Sequence, residues 1–226
     1  MNNLCIIPAR GGSKRIPRKN IKEFCGKPII AYSIETAIKS GLFGEIMVST
    51  DDPEIAQIAQ KYGANVPFMR SQETANDHAT LAEVVDEVIQ NYKGVGQEFE
   101  LACCILPTAV LMQEESLHEG YQKMKSGSYD SVMSLVEYSY PIQRALKIQE
   151  GLVGFVNPEY AKTRSQDLEP RYHDAGQFYW FLAKQGLVNE YRGAVLLNEL
   201  IVQDIDTQEN WEMAEIKYKR INGEQI

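Results

Sequence analysis

Leu4-Cys-Ile-Ile-Pro-Ala-Arg-Gly-Gly-Ser-Lys-Arg-Ile-Pro-Arg-Lys-Asn20 sets a short apolar run directly before a loop of paired glycines and cations. Residues 4–8 have the length and composition of a buried strand, and Gly11-Gly12 mark the turn that ends it. Paired glycines let backbone N–H groups close on an anion, and Arg10, Lys14 and Lys19 supply charge to neutralise phosphate. This is not a Walker A loop: G-x-x-x-x-G-K-[ST] is absent, and the next helix is placed only at Pro28. The alternative is a solvated basic surface loop, which the Gly-Gly pair right after a first buried strand disfavours.

Outward from that stretch, strand and helix patterns alternate. Pro28 opens a helix that Gly41 closes, with Ile30, Ile34 and Ile38 as its buried stripe. A strand follows at 45–50, then a helix from Asp52-Pro53 to Gly63, and a short strand at 66–69. Residues 80–92 read as a helix with Leu81, Val84, Val85, Val88 and Ile89 on one face. A fully buried strand at 101–106, a helix at 114–125 and a strand at 131–136 complete the series. The alternation predicts an α/β fold with a mostly parallel sheet covered on both faces. Ligands in such sheets bind beyond the carboxyl ends of the strands, where the loops after Pro8, Thr50, Leu106 and Val136 lie. The rhythm breaks over 137–175, which holds Pro141, Pro158 and Pro170 and no long amphipathic period. This stretch reads as an insertion leaving the body, with a hairpin at 146–156 around Glu150-Gly151. Strands at 177–182 and 200–205 and a helix at 207–221 follow. The expected organisation is one domain over 1–226 carrying the 137–175 insertion.

The chain has 226 residues, 44% hydrophobic and 24% charged, enough to build a core without staples. Its apolar runs are too short to span a bilayer, and no secretory signal is visible, so a cytoplasmic protein without membrane association is expected. Cys5, Cys25, Cys103 and Cys104 form no C-x-x-C pair and read as small hydrophobes in a reducing compartment. The net charge of −8 argues against nucleic acid as a partner. Residues 1–27 nevertheless hold seven basic side chains against the single acid Glu23. A short basic segment on an acidic body suits a small polyanion.

Asp204-Ile-Asp206 is the second candidate site. At i and i+2 of a strand both carboxylates share a face, and two carboxylates with water and phosphate oxygens suit Mg²⁺. The alternative is that Asp206 caps the next helix with Glu209 closing a capping box. Asp52 before Pro53 reads as an N-cap. Arg70 and the polar stretch Asn76-Asp-His-Ala-Thr80 could hydrogen-bond a base, although Asp77 reads equally well as a cap. Arg164, Arg171, Tyr172, His173, Gln177 and Tyr179 lie in one irregular segment whose arginines either clamp a substrate carboxylate or are ordinary surface charge. His78, His118 and His173 have no metal spacing, and no G-x-S-x-G or cysteine–histidine pair supports covalent catalysis.

The run from Ile7 to Asn20 resembles the signature of the acylneuraminate cytidylyltransferases, as do Gly26-Lys-Pro28, Val48-Ser-Thr-Asp51, Arg70, Pro107-Thr108 and Ile205-Asp-Thr207. The resemblance covers nearly the whole chain in order. It implies a Rossmann-like domain that couples CTP to an acidic nine-carbon sugar with Mg²⁺ or Mn²⁺. It also implies a homodimer in which the insertion of one subunit reaches the other's site. Carried over by position, Arg10 and Lys19 are triphosphate ligands and charge-neutralising catalytic groups. Ala9, Gly11, Gly12, Ser13, Lys14 and Asn20 complete that nucleotide loop, Arg70, Ala79 and Thr80 meet cytidine, and Asp204 and Asp206 hold the metal. The departures concern the sugar. Leu106-Pro-Thr-Ala-Val110 stands where sialic acid enzymes usually have Gln-Pro-Thr-Ser-Pro, and Ala175-Gly176 stands for Asn-Gly. Arg171-Tyr-His-Asp-Ala-Gly-Gln-Phe-Tyr-Trp180 resembles the pseudaminic acid branch instead, although Val110 is atypical there too. Arg164, Arg171, Tyr172, Gln177 and Tyr179 are therefore the substrate candidates. The implied reaction is attack of the sugar's C2 hydroxyl on the α-phosphate of CTP. Rivals are a sialic or legionaminic acid enzyme and a non-catalytic nucleotide-binding regulator, the latter opposed by intact Arg10, Lys19, Asp204 and Asp206.

Overall fold

Strand β1 (Asn3–Pro8) shows why the first apolar run is shielded on both sides. Cys5 and Ile7 face one layer of the core, and Leu4 and Ile6 face the other, as period-two alternation requires. The computed structural model describes residues 2–223; Met1 and residues 224–226, the ends of the expected 1–226 domain, lie outside it. After β1 come a small hairpin, β2 (Glu23–Phe24) and β3 (Lys27–Pro28), and helix α1 (Ile29–Ser40). Next are β4 (Glu45–Ser49), α2 (Pro53–Lys61), the short α3 (Gln72–Ala75), α4 (Leu81–Gly94), β5 (Leu101–Ile105), α5 (Glu114–Lys125) and β6 (Ser131–Glu137). The chain ends with β7 (Leu146–Gln149), β8 (Leu152–Phe155), β9 (Tyr172–Leu182), β10 (Arg192–Leu197) and α6 (Gln208–Ile221).

Six strands form one sheet in the order β10-β6-β9-β5-β1-β4. Five share one direction and β9 alone opposes them, so the sheet is mostly parallel, as expected. Helices α1, α2 and α5 pack on one face through Ile30, Ile34, Ile55, Ala59 and Leu117. Helix α4 covers the other through Val85, Val88 and Tyr92. A third cluster, which includes Ile16, Phe24, Tyr32, Ile205 and Trp211, docks α6 beside the glycine loop.

Three local expectations fail. Ile38 is exposed rather than part of the buried stripe of α1. Residues 66–69 form no strand; only Asn65 bridges to Met47, and Pro67, which lacks an N–H, follows two positions later. The strand expected at 200–205 is absent. Residues Glu199–Ile201 make a 3₁₀ turn, and the sheet strand is the preceding β10, Arg192–Leu197. Gly193 broke the apolar pattern there, and it is needed: a Cβ would lie 2.9 Å from the Tyr129 ring.

The insertion also has different limits. β6 runs to Glu137 and β9 starts at Tyr172, so Glu137 and residues 172–175 are sheet residues. β9 carries surplus residues between its pairings Asp174–Leu135 and Tyr179–Met133. That bulge holds Gly176 and Gln177 and interrupted the alternation on which strand recognition depends. The hairpin expected within 146–156 is β7–β8.

Candidate active site

The carboxyl ends of β1, β4 and β5 place three loops on one edge of the sheet, and the glycine loop lies among them. Ala9 is buried and its N–H donates to Ser49 O at 2.8 Å, fixing the exit of β1. Gly11 N–H donates to Asp51 Oδ1 at 2.9 Å. A Cβ on Gly11 would lie 2.7 Å from Asp52 Oδ2, so only glycine lets the loop approach α2 this closely. Asp52 is the expected N-cap: its Oδ1 accepts from Glu54 N at 2.9 Å and Ile55 N at 3.2 Å. Arg18, with φ 55°, pairs with Asp52 and Glu54 and straps the loop to that helix. The hydrogen bond from Arg18 holds the Asp52 carboxyl below its ordinary value. Buried Asn20 donates from Nδ2 to Arg10 O at 2.9 Å, and Ser13 N–H reaches Gly11 O at 3.0 Å.

Besides Arg18, four cations of this loop sort onto two further carboxylates, Asp77 and Asp206. Arg10 Nη1 lies 2.6 Å from Asp77 Oδ1, and Lys14 pairs with the other oxygen of Asp77. Hydrogen bonds from Lys14 and then Arg10 hold the Asp77 carboxyl below its ordinary range. Asp77 is therefore an ion-pair partner; the cap of α4 is Thr80, with Glu83 closing its box. Lys19 Nζ donates to Ile205 O at 2.7 Å and lies 3.4 Å from Asp206 Oδ1, with Arg15 Nη2 2.9 Å from the same oxygen. Ile16 and Ile205 share one apolar cluster, which is why these distant stretches meet. Gly11, Gly12, Ser13, Pro17 and Arg18 line a cleft of about 510 Å³ with Arg10, Lys14 and Asp77.

Asp204 and Asp206 do not sit on a strand, but they still flank a fully buried Ile205. Asp206 does not cap α6: Thr207 does, in a capping box with Asn210 rather than Glu209. Among the described residues no group of three His, Cys, Asp or Glu could hold a metal. Asp206 is instead engaged by Arg15 and Lys19, beside the basic loop; Mg²⁺ in general needs only one or two carboxylates and fills its shell with water and other oxygens.

Arg70 is tied to the end of β4: Nε donates to Ser49 Oγ at 3.0 Å and Nη2 to Ser49 O at 2.6 Å, and burial pulls its pKa down. Ala79 N–H donates to Asn76 Oδ1 at 3.0 Å. The substrate candidates divide. Gln177 is buried at the edge, with Nε2 2.5 Å from Ile201 O and Oε1 without a hydrogen-bond donor. Tyr179 donates from Oη to Asp174 Oδ2 at 2.7 Å, and burial raises its pKa. Tyr172 is exposed at the first position of β9. Arg164 pairs with Asp167 at 2.8 Å and Arg171 with Glu169 at 2.7 Å, both local contacts on the insertion side. Burial pushes the Cys104 thiol up to about 12, which leaves it protonated and unreactive at neutral pH.

Sequence reasoning gave no individual role to Arg15, Arg18 or Asp174, and it named Asp51 within a motif without foreseeing its bond to Gly11 N. Arg15 and Arg18 were in the same basic run and were counted as charge; their carboxylate partners are far away in sequence and invisible to spacing.

The model of the family described as Cytidylyltransferase matches residues 4–220. The chain belongs to the cytidylyltransferase family. It is 43% identical to the pseudaminic acid cytidylyltransferase of Campylobacter jejuni, over 97% of each chain. It is 33% identical to the CMP-N,N'-diacetyllegionaminic acid synthase of Legionella pneumophila, over 100% of each. Its fold is similar to that of a CMP:2-keto-3-deoxy-manno-octonic acid synthetase solved with CTP, with TM-score 0.70 and 17% identity, covering 98% of this chain and 100% of that one. The α/β architecture read from the strand–helix alternation agrees with that fold. No helix of the described cytidylyltransferase is long and apolar enough to cross a membrane.

Proposed function

We propose that the protein transfers the cytidylyl group of CTP to pseudaminic acid, giving the CMP-sugar and pyrophosphate. The observation that carries the sugar assignment is the 43% identity, along 97% of both chains, to a relative named for that activity. Two local features support it. Leu106 stands just past the end of β5 where sialic acid enzymes usually carry a glutamine amide, and its Cδ1 lies 3.8 Å from the Cβ position of Gly176; Ala175, in place of an asparagine, is buried in the core. Gln177 Oε1, buried without a donor, would accept from a sugar N–H or O–H.

Arg10, Lys14, Arg15 and Lys19 converge from one loop and neutralise triphosphate charge as the C2 hydroxyl attacks the α-phosphate. Asp51 engages the Gly11 N–H, while Gly12, beside which a Cβ would meet nothing within 4 Å, leaves the loop backbone open to the same oxygens. Asp204 and Asp206 would hold a divalent cation, which supplies Lewis-acid charge to phosphate oxygens when bound. Arg70 and the Ala79–Thr80 backbone are the base contacts, and their position beside the glycine loop supports that role. CTP as co-substrate assigns the reaction to the cytoplasm.

The segment between β6 and β9 carries apolar side chains with no cover: Ile148, Leu152 and Val153 are each at least 66% exposed. Such a surface fits a homodimer interface, and the proposal includes a second copy of the chain whose Arg164 or Arg171 reaches this site. Incubation with CTP, Mg²⁺ and pseudaminic acid should give a product with the mass of the CMP-sugar together with one pyrophosphate. Pyrophosphate release without a CMP-sugar would refute the transfer.

A further inference from the structure

Asp77 lies in the cleft that the nucleotide phosphates must enter, and it already occupies the cations there. Arg10 Nη1 is 2.6 Å from Asp77 Oδ1 and also donates to Asn76 O at 3.2 Å, while Lys14 takes the second oxygen of Asp77. A phosphate that engages both side chains has to replace this carboxylate. The loop that carries Asp77 is held at both ends by contacts that do not involve it. On one side Glu87 accepts from Ser71 N at 2.8 Å and Ser71 Oγ at 3.2 Å and also holds Thr74. On the other, Thr80 and Glu83 cap α4. Within the loop Asn76 Oδ1 accepts from His78 N at 2.7 Å and Ala79 N at 3.0 Å. Releasing the carboxylate therefore leaves the anchors of the loop intact.

We propose that Asp77 is an internal anion that competes with phosphate for Arg10 and Lys14 and so sets the affinity of the site for triphosphate and for pyrophosphate. The inference rests on the reading of Arg10 and Lys14 as phosphate ligands. Its chemical sense is that four converging cations of the loop would hold a departing polyanion as firmly as an arriving one. A carboxylate that returns to the same cations weakens both, and it favours escape of pyrophosphate after transfer.

Calorimetric titration of the intact protein with CTP, inorganic pyrophosphate and cytidine, in Mg²⁺ at fixed ionic strength, tests this on wild type, Asp77→Asn and Asp77→Glu. Asp77 is surface-exposed, so the variants fold, and circular dichroism checks that they do. Asp77→Asn should tighten CTP and pyrophosphate by about 2- to 30-fold, the range that two exposed ion pairs span. Cytidine, which brings no phosphate, should bind all three proteins equally, and Asp77→Glu should stay near wild type. Unchanged or weaker pyrophosphate binding by Asp77→Asn overturns the inference, because Asp77 then positions the cations rather than competing for them. A wild type that binds no CTP would sink the nucleotide reading itself and this inference with it.

Discussion

Replacing Gly11 by alanine should destabilise the protein through a helix cap rather than through the loop itself. The added Cβ would lie 2.7 Å from Asp52 Oδ2, 3.1 Å from its Cβ and 3.3 Å from its Cγ, all closer than ordinary contact. Either the loop lifts or Asp52 rotates, and Asp52 Oδ1 is bound to Glu54 N and Ile55 N at the start of α2. Loss of such a cap costs about 0.5–2 kcal/mol. For a chain of this size that corresponds to a drop of roughly 1–8 °C in Tm. The displaced loop also loses the bond from Gly11 N to Asp51, so CTP should bind more weakly as well. Gly12 is the internal control: a Cβ there meets nothing within 4 Å. Gly12→Ala should leave Tm unchanged or raise stability by about 0.4–1 kcal/mol through the unfolded chain. Differential scanning calorimetry with and without CTP measures both effects. Equal melting temperatures for the two variants would show that the contact between Gly11 and Asp52 carries no strain and would refute the argument.

Asp204→Asn and Asp206→Asn should each lose most turnover while the melting temperature holds, whereas Thr207→Ala should lose about 1 kcal/mol of stability with turnover kept, because Thr207 is the cap of α6; comparing rate with Tm for all three separates the roles. Thermal shift with the four ribonucleoside triphosphates should show CTP stabilising most, and equal shifts would remove the cytidine assignment. Ile148→Asp with Leu152→Asp should convert a dimer to a monomer in light scattering, and a wild type that is an active monomer contradicts the assembly. The Asp52 carboxyl titrates lower in the fold than in the unfolded chain, so its pairing with Arg18 stabilises the fold above the unfolded value of 3.8 and is lost as pH falls through the lower folded value. Arg18→Ala should therefore move the acid-unfolding midpoint, followed by tryptophan fluorescence, to higher pH.

What was legible in the sequence followed from local chemistry. The first strand, the glycine turn, the Asp52 cap and the closing Gly41 of α1 depend on neighbours within a few residues, and each stands where its pattern put it. The strand expected at 200–205 misled because Val202 and Ile205 are buried without being paired in a sheet. β10 was hidden because Gly193 makes room for a ring 64 positions earlier in the chain. The same distance limit applies to the site. Composition and motif brought out a cationic loop and two carboxylates, but the joining of Lys19 and Arg15 to Asp206, and of Arg10 and Lys14 to Asp77, spans from 63 to 191 residues of sequence. Packing of Ile16 and Ile205 into one cluster creates the first of these meetings, and no spacing rule encodes it.

The central claim is the transfer of CMP to a deoxy, acylamino nonulosonate by a site that carries apolar Leu106 where sialic acid enzymes usually have glutamine. Steady-state pyrophosphate release at saturating CTP, measured side by side for pseudaminic acid and N-acetylneuraminic acid, tests it most directly. Each sugar hydroxyl left without a partner in a closed pocket costs roughly 1–3 kcal/mol, so two of them lower kcat/KM by about 30-fold or more. Pseudaminic acid should therefore be preferred by at least that factor, and Gln177→Ala should depress its turnover. N-acetylneuraminic acid turned over as well or better would contradict the sugar assignment and leave only the cytidylyltransferase.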